Sequence, residues 1–153
     1  MPVTNNFASS SLDLNGKVAL TLPTALVWGP DGRLYVTEVD GDVRVLSIAF
    51  GDKNPGDTDT AAQFYVTAAT SLNLIKAIQN HNDDGSLNSS SNRQITGIDV
   101  TQQFDANGQP MLFNGKPAVT MYVTSSDSRI GAGTGGGDTN LDTNSGIITK
   151  LVQ

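Results

Sequence analysis

The chain has 153 residues, 9 basic against 15 acidic for a net charge of −6, and no cysteine. With no concentrated Lys or Arg, recognition of nucleic acid or of an anionic membrane surface is excluded as a leading function, and the missing thiols remove disulfides, thiolate metal sites and cysteine nucleophiles together. The length suits one ordinary domain with its own core, and no stretch approaches the roughly 18 apolar residues of a membrane span.

Met1 to Asn6 lacks the basic start and apolar run of a secretory signal. Asn5 to Asn15 is polar and serine-rich, and Lys17 to Leu22 is expected to form a strand that completes a blade elsewhere in an array, leaving an edge without its partner. From Leu22 a first unit of four strands is predicted. Ala25-Leu26-Val27-Trp28 is apolar throughout, as a strand covered on both faces would be, and Gly29-Pro30-Asp31-Gly32 supplies a hairpin turn. Arg33 to Thr37 returns as the second strand, Asp40-Gly41-Asp42 turns again, Val43 to Ala49 is the third strand, and Gln63 to Thr67 is the fourth after a loop at Gly51 to Asp57.

Ser71 to Ile78 fits either a helical turn or an extended connector, and Asn80 to Asn92 is expected to be loop. A second unit starts at Gln94 to Val100. The turn signals Asp105 to Gly108 and Phe113 to Pro117 bracket a small hairpin insertion, Ala118 to Thr124 is its second strand, and Gly146 to Leu151 its third. The divisions expected are therefore 1–21, a polar segment and strand; 22–70, the first unit; 71–93, a connector; and 94–153, a second unit without its outer strand.

Leu34-Tyr35-Val36-Thr37 is repeated as Met121-Tyr122-Val123-Thr124, each followed by a turn and another strand. Repetition of strand, turn and strand on this scale is how β-propeller blades look in sequence. The fold class expected is all-β, a partial β-propeller of about two blades of antiparallel strands. Blades take roughly 40 to 50 residues and rings four to eight of them, so a closed ring needs more chain than this.

Four passages carry a family resemblance: Leu22 to Thr37, Asn80 to Gly85, Arg93 to Ile98, and Tyr122 to Gly131 leading into Gly137 to Gly146. The last, long and unusual in composition, weighs most. They resemble the propeller of bacterial quinoprotein glucose/sorbosone dehydrogenases, and the chain is similar to an N-terminal fragment of one. The resemblance implies a six-bladed ring that holds pyrroloquinoline quinone (PQQ) over its axis and oxidises a sugar or sugar alcohol. It also implies the remaining blades in a longer chain as partners, and an extracellular or periplasmic parent protein. No residue here matches the family's catalytic histidine or the cations that clamp its quinone, so the piece alone is expected to be inactive and no catalytic residue is assigned. The alternative is a non-catalytic propeller module that binds carbohydrate or protein within a large secreted protein, and a free-standing small β domain is a third reading.

His81, the only histidine, is the obvious candidate for general base, but its loop offers no apolar wall and no nucleophile, which favours a structural or solvent-facing role. Asp138, Asn140, Asp142 and Asn144 alternate as calcium ligands in a tight turn do, although Thr143 and Thr149 stand where an EF-hand has glycine and glutamate; short oxygen-bearing residues also simply form turns. Asn82, Asp83 and Asp84 form a weaker oxygen cluster. Gly131 to Gly137 has neither the helix nor the lysine of a phosphate loop and reads as a flexible lip. Trp28, Tyr35, Tyr65 and Tyr122 can stack on sugars, but their place in apolar strands favours packing between blades. Asp127 and Arg129 are the ligand-facing candidates, and they can also pair with each other.

Overall fold

The computed structural model describes residues 11–54, 62–82, 84–88, 92–128 and 146–153. The described residues are all-β, without a helix, and form antiparallel sheets. The first sheet is a four-stranded meander in chain order: β1 (Pro23–Trp28), β2 (Leu34–Glu38), β3 (Val43–Gly51) and β4 (Gln63–Leu72). A short pair follows, β5 (Asn80–His81) with β6 (Leu87–Asn88). The second sheet contains β7 (Arg93–Gln102), β10 (Val119–Asp127) and β11 (Ile147–Val152), with β10 in the middle. Between β7 and β10 the insertion folds as the expected hairpin, β8 (Leu112–Phe113) against β9 (Lys116–Pro117).

The first turn shows why the chain folds locally as it does. Asp31 is buried and its carboxylate accepts hydrogen bonds from the Tyr35 hydroxyl at 2.9 Å, from the Arg33 backbone N–H at 3.2 Å and from Arg33 Nε. Gly29 is required for this arrangement, because a Cβ there would stand 2.6 Å from both Asp31 Oδ1 and the Tyr35 ring. Burial first, and then the Asp31 carboxylate, raise the Tyr35 hydroxyl pKa well above its ordinary value, so the tyrosine stays a neutral donor.

Two apolar clusters form, one on each face of the first sheet. Tyr35, Val43 and Val45 face the second sheet and pack with Ile75, Ile95, Val119, Met121 and Val123. Leu34, Val36, Leu46 and Val66 face the other way and are covered by Leu12, Leu14, Val18 and Leu20. The expected strand at Lys17 to Leu22 is therefore replaced by an irregular strap lying across the sheet. Asn15 and Gly16 take left-handed backbone angles, φ 53° and 62°, and turn the chain so that Lys17 N–H bonds Leu14 O at 2.9 Å. Asp13 bridges the strap to β4, exchanging backbone bonds with Phe64 and Val66 at 2.9 Å.

Two further expectations are corrected. β1 is an edge strand, and Leu26 and Trp28 are 67% and 55% exposed instead of covered on both faces. The stretch expected to be loop after Asn80 holds the β5–β6 pair. There Asn82 N–H bonds Ser86 O, Gly85 N–H bonds Asn82 O, and the Asp84 carboxylate accepts from Ser86, so short polar side chains hold a hairpin that alternation of apolar residues does not announce.

The repeated tetrapeptides occupy equivalent positions, each on the second strand of its sheet, yet they face different environments. Tyr35 and Val43 point into the interface between the sheets. Their counterparts by register, Tyr122 and Ile148, lie on the outer face of the second sheet, 39% and 72% exposed. Conversely Met121 and Val123 face the first sheet, whereas their counterparts Leu34 and Val36 lie under the strap. The two sheets thus stack front to back, not front to front as in a two-fold sandwich. Val43→Ala is expected to cost about 1.5–3 kcal/mol by lost burial, whereas Ile148→Ala stays within about 0.5 kcal/mol of the parent chain. Urea unfolding of the two variants decides it, and equal losses would overturn this assignment of faces.

Candidate functional site

Antiparallel pairing brings one end of each major strand to a common polar edge: the β2–β3 turn, the turn after β4, β5, the start of β7 and the end of β10. Here Glu38, Asp40 and Asp42 come together, each offering a carboxylate oxygen within 4.8 Å of the others. Glu38 is fully buried. One of its oxygens accepts from the Thr21 backbone N–H and the other from Arg44 Nε at 2.6 Å. Arg44 Nη2 also reaches Asp42 at 3.3 Å, and Lys76 Nζ lies 3.1 Å from Asp40 and 3.9 Å from Asp42. The three carboxylates are thus paired with two cations and work as a clasp joining strap, turn and connector.

Arg93 is a second buried charge, 1% exposed at the start of β7. Its guanidinium donates to Ser125 Oγ at 3.1 Å, Asn80 Oδ1 at 3.1 Å and Ser125 O at 3.2 Å, binding β5 and β10 to β7. Its carbonyl abuts the left-handed turn residue Gly41, φ 90°, where a Cβ would come within 2.8 Å of Arg93 O and 3.1 Å of Lys76 Cα. The two charged assemblies are therefore one packed unit.

The ligand-facing candidate Asp127 is buried at this edge, opposite Arg93 in the β7–β10 register. Arg129, the calcium candidates Asp138, Asn140, Asp142 and Asn144, the glycine-rich stretch and Asp83 lie outside the described residues. His81 is half-buried in β5, paired in register with Leu87. A cleft of about 370 Å³ is lined by Lys76, Ile78, Gln79, Leu87, Asn88 and Asn92, without His81. Among the aromatics Tyr35 is buried, Trp28 and Tyr122 are exposed, and Tyr65 is half-buried. Sequence reasoning passed over Glu38 and Arg93. The available signal was alternation, since Arg93 shares a strand face with Ile95, a buried core residue.

The cofactor implied by the resemblance can be tested against these groups. PQQ carries three carboxylates and needs cations turned toward a common space. Among the described residues Arg33 is paired with Asp31, Arg44 with Glu38 and Asp42, Lys53 with Asp13, and Lys76 with Asp40, while Arg93 is buried against Asn80 and Ser125. These residues do not form a clamp for the quinone. The Glu38 trio is equally unsuited to calcium, because both Glu38 oxygens and one from each aspartate already accept from protein donors or face cations.

The clasp gives the fold an acid dependence. Burial raises the Asp40 pKa, but the hydrogen bonds from Lys76 and the Asp42 N–H, with the charges of Lys76 and Arg44, outweigh it and hold the group below its ordinary 3.8. Asp13, Asp84 and Asp105 are lowered too, chiefly by hydrogen bonds from Lys53, Ser86 and the Gln109 N–H respectively. A depressed folded-state pKa contributes stability that is complete above the unfolded value and is lost as pH falls through the folded one. The urea midpoint is therefore expected to hold between pH 7 and 5 and to fall below about pH 4, with a smaller fall in Asp40→Asn.

No protein-family model, curated protein or solved structure matches the chain.

Proposed function

We propose that this chain supplies two consecutive blades of a β-propeller of the PQQ-dependent sugar dehydrogenase kind, and that its own residues build the ring instead of performing the oxidation. One observation carries the reading: equivalent faces of the two sheets point the same way, so the Tyr122 and Ile148 face of the second sheet repeats the Tyr35 and Val43 face that is buried in the first. An interface between unlike faces can repeat and close into a ring, and a third sheet seated on Tyr122 and Ile148 continues it. The quinone and any calcium would be held by groups contributed from elsewhere in the ring.

The commitment of Arg33, Arg44, Lys53, Lys76 and Arg93 to ion pairs and buried hydrogen bonds also favours the second reading, a propeller module that binds without catalysing. A dye-coupled dehydrogenase assay with glucose and sorbosone, in the presence of PQQ and calcium, separates the two. It is run on this chain and on the whole product of its native gene. The chain alone is expected to be inert and the whole product to turn over; quinone-dependent oxidation absent from both would sink the dehydrogenase reading and leave the binding module.

A further inference from the structure

The sequence contains three Asn-Gly steps, Asn15-Gly16, Asn107-Gly108 and Asn114-Gly115, and the fold sets them in different surroundings. We propose that Asn114 is a site of spontaneous, self-catalysed deamidation, and that the other two are protected in the folded chain. In this reaction the backbone nitrogen of the following glycine attacks Asn Cγ and loses its proton to solvent base. The Cγ–N bond to the side-chain amide breaks and ammonia leaves. Water then opens the resulting succinimide at either carbonyl, giving aspartate or isoaspartate. Nothing is oxidised, and water is the only co-reactant. The glycine lacks a Cβ to block the attack, so what remains to decide the rate is whether its N–H is free and whether the asparagine can rotate.

Asn15 is half-buried, and its Nδ2 donates to Val66 O at 3.1 Å while its N–H donates to Asp13 Oδ1 at 2.7 Å. Rotating it means lifting the strap from Leu34, Val36 and Leu46. Asn107 is exposed, but the nucleophile it needs is occupied: Gly108 N–H donates to Asp105 O at 3.0 Å. The Asp105 carboxylate further pins the turn by accepting from the N–H groups of Asn107 and Gln109, both at 2.8 Å.

Asn114 has neither restraint. It and Gly115 are exposed at the tip of the hairpin, at φ 52° and 76°, and among the described residues Gly115 N–H makes no backbone hydrogen bond and the Asn114 side chain none at all. The ladder beneath it is two residue pairs long, Phe113 with Lys116 and Leu112 with Pro117, and Leu112 and Phe113 are themselves 66% and 48% exposed. So short a hairpin opens at little cost, and opening it disturbs neither apolar cluster. The product adds a negative charge beside Lys116 and, as isoaspartate, one extra backbone carbon in the turn. Asn114 thus records the age of a molecule without unfolding it.

The test is to incubate the folded chain at pH 8, digest it, and measure acid and isoaspartate at each asparagine by peptide mass mapping, with a urea-denatured sample alongside. Conversion at Asn114 is expected to exceed that at Asn15 and Asn107 several-fold in the folded chain, and the three are expected to converge in urea. Asn114→Gln is expected to remove most of the isoaspartate while the urea midpoint stays unchanged. Equal conversion at the three sites in the folded chain, no conversion at Asn114, or an undiminished isoaspartate yield in Asn114→Gln would each overturn the proposal.

Discussion

Arg93→Ala is expected to lower the unfolding free energy by about 3–5 kcal/mol, the loss typical of removing one partner from a buried charged network. The substitution leaves Asn80 Oδ1, Ser125 Oγ and Ser125 O without their donor in a region the protein has already dried, and it opens a space the size of a guanidinium and its stem. Charge alone does not account for the effect. Arg93→Lys keeps the charge but offers a point donor in place of a planar fork that meets acceptors on two different strands, so it is expected to recover less than half of the loss. Urea titration of the two variants separates the roles, and full recovery by lysine would show that charge, not fork geometry, is what the site requires.

Gly41→Ala is expected to cost about 2–4 kcal/mol, large for the addition of one methyl group. Two costs combine there. At φ 90° an alanine is strained whatever surrounds it. Its Cβ would also sit 2.8 Å from Arg93 O and 3.1 Å from Lys76 Cα, which are backbone atoms and cannot rotate away. Relief would push the β2–β3 turn off the second sheet and loosen the contact of Lys76 with Asp40. Gly108→Ala, at φ 75° in open space, bears the strain without the collision and is the control. A loss at Gly41 no larger than at Gly108 would mean that the turn moves freely and that the polar edge is not one packed unit.

Local chemistry made much of the fold readable. The turn at Gly29 to Gly32 announced itself through proline, aspartate and glycine, and the tyrosine repeat marked the two central strands because a β-strand needs only a few branched and aromatic residues in alternation. What stayed hidden depends on contacts distant in sequence. Lys17 to Leu22 has the composition of a strand, but among the described residues it joins no strand ladder, and its Val18 and Leu20 are used to cover a sheet. Leu26 and Trp28 look like core, yet they sit on an edge whose cover the described residues do not supply. Arg93 resembles a surface residue because arginine usually is one, and only its juxtaposition with Asn80 and Ser125, from segments 13 and 32 residues away, makes burial tolerable. Of the candidate site the sequence pointed to Asp127, and it missed the clasp around Glu38 because the clasp exists only once strap, turn and connector meet.

The strap also sets an order of events during synthesis. Residues 11–22 leave the ribosome before any part of the surface they cover, and that surface is completed only when Val66, which accepts from Asn15 across 51 residues of sequence, has emerged. At roughly 5–20 residues per second, Leu12, Leu14, Val18 and Leu20 wait several seconds in water, a period in which a nascent chain is exposed to chaperones and to its neighbours on the same message. The meander from β1 to β4 pairs only adjacent strands and can form as it is extruded, so the strap, made before the sheet it covers, is among the last parts of this sheet to find its place.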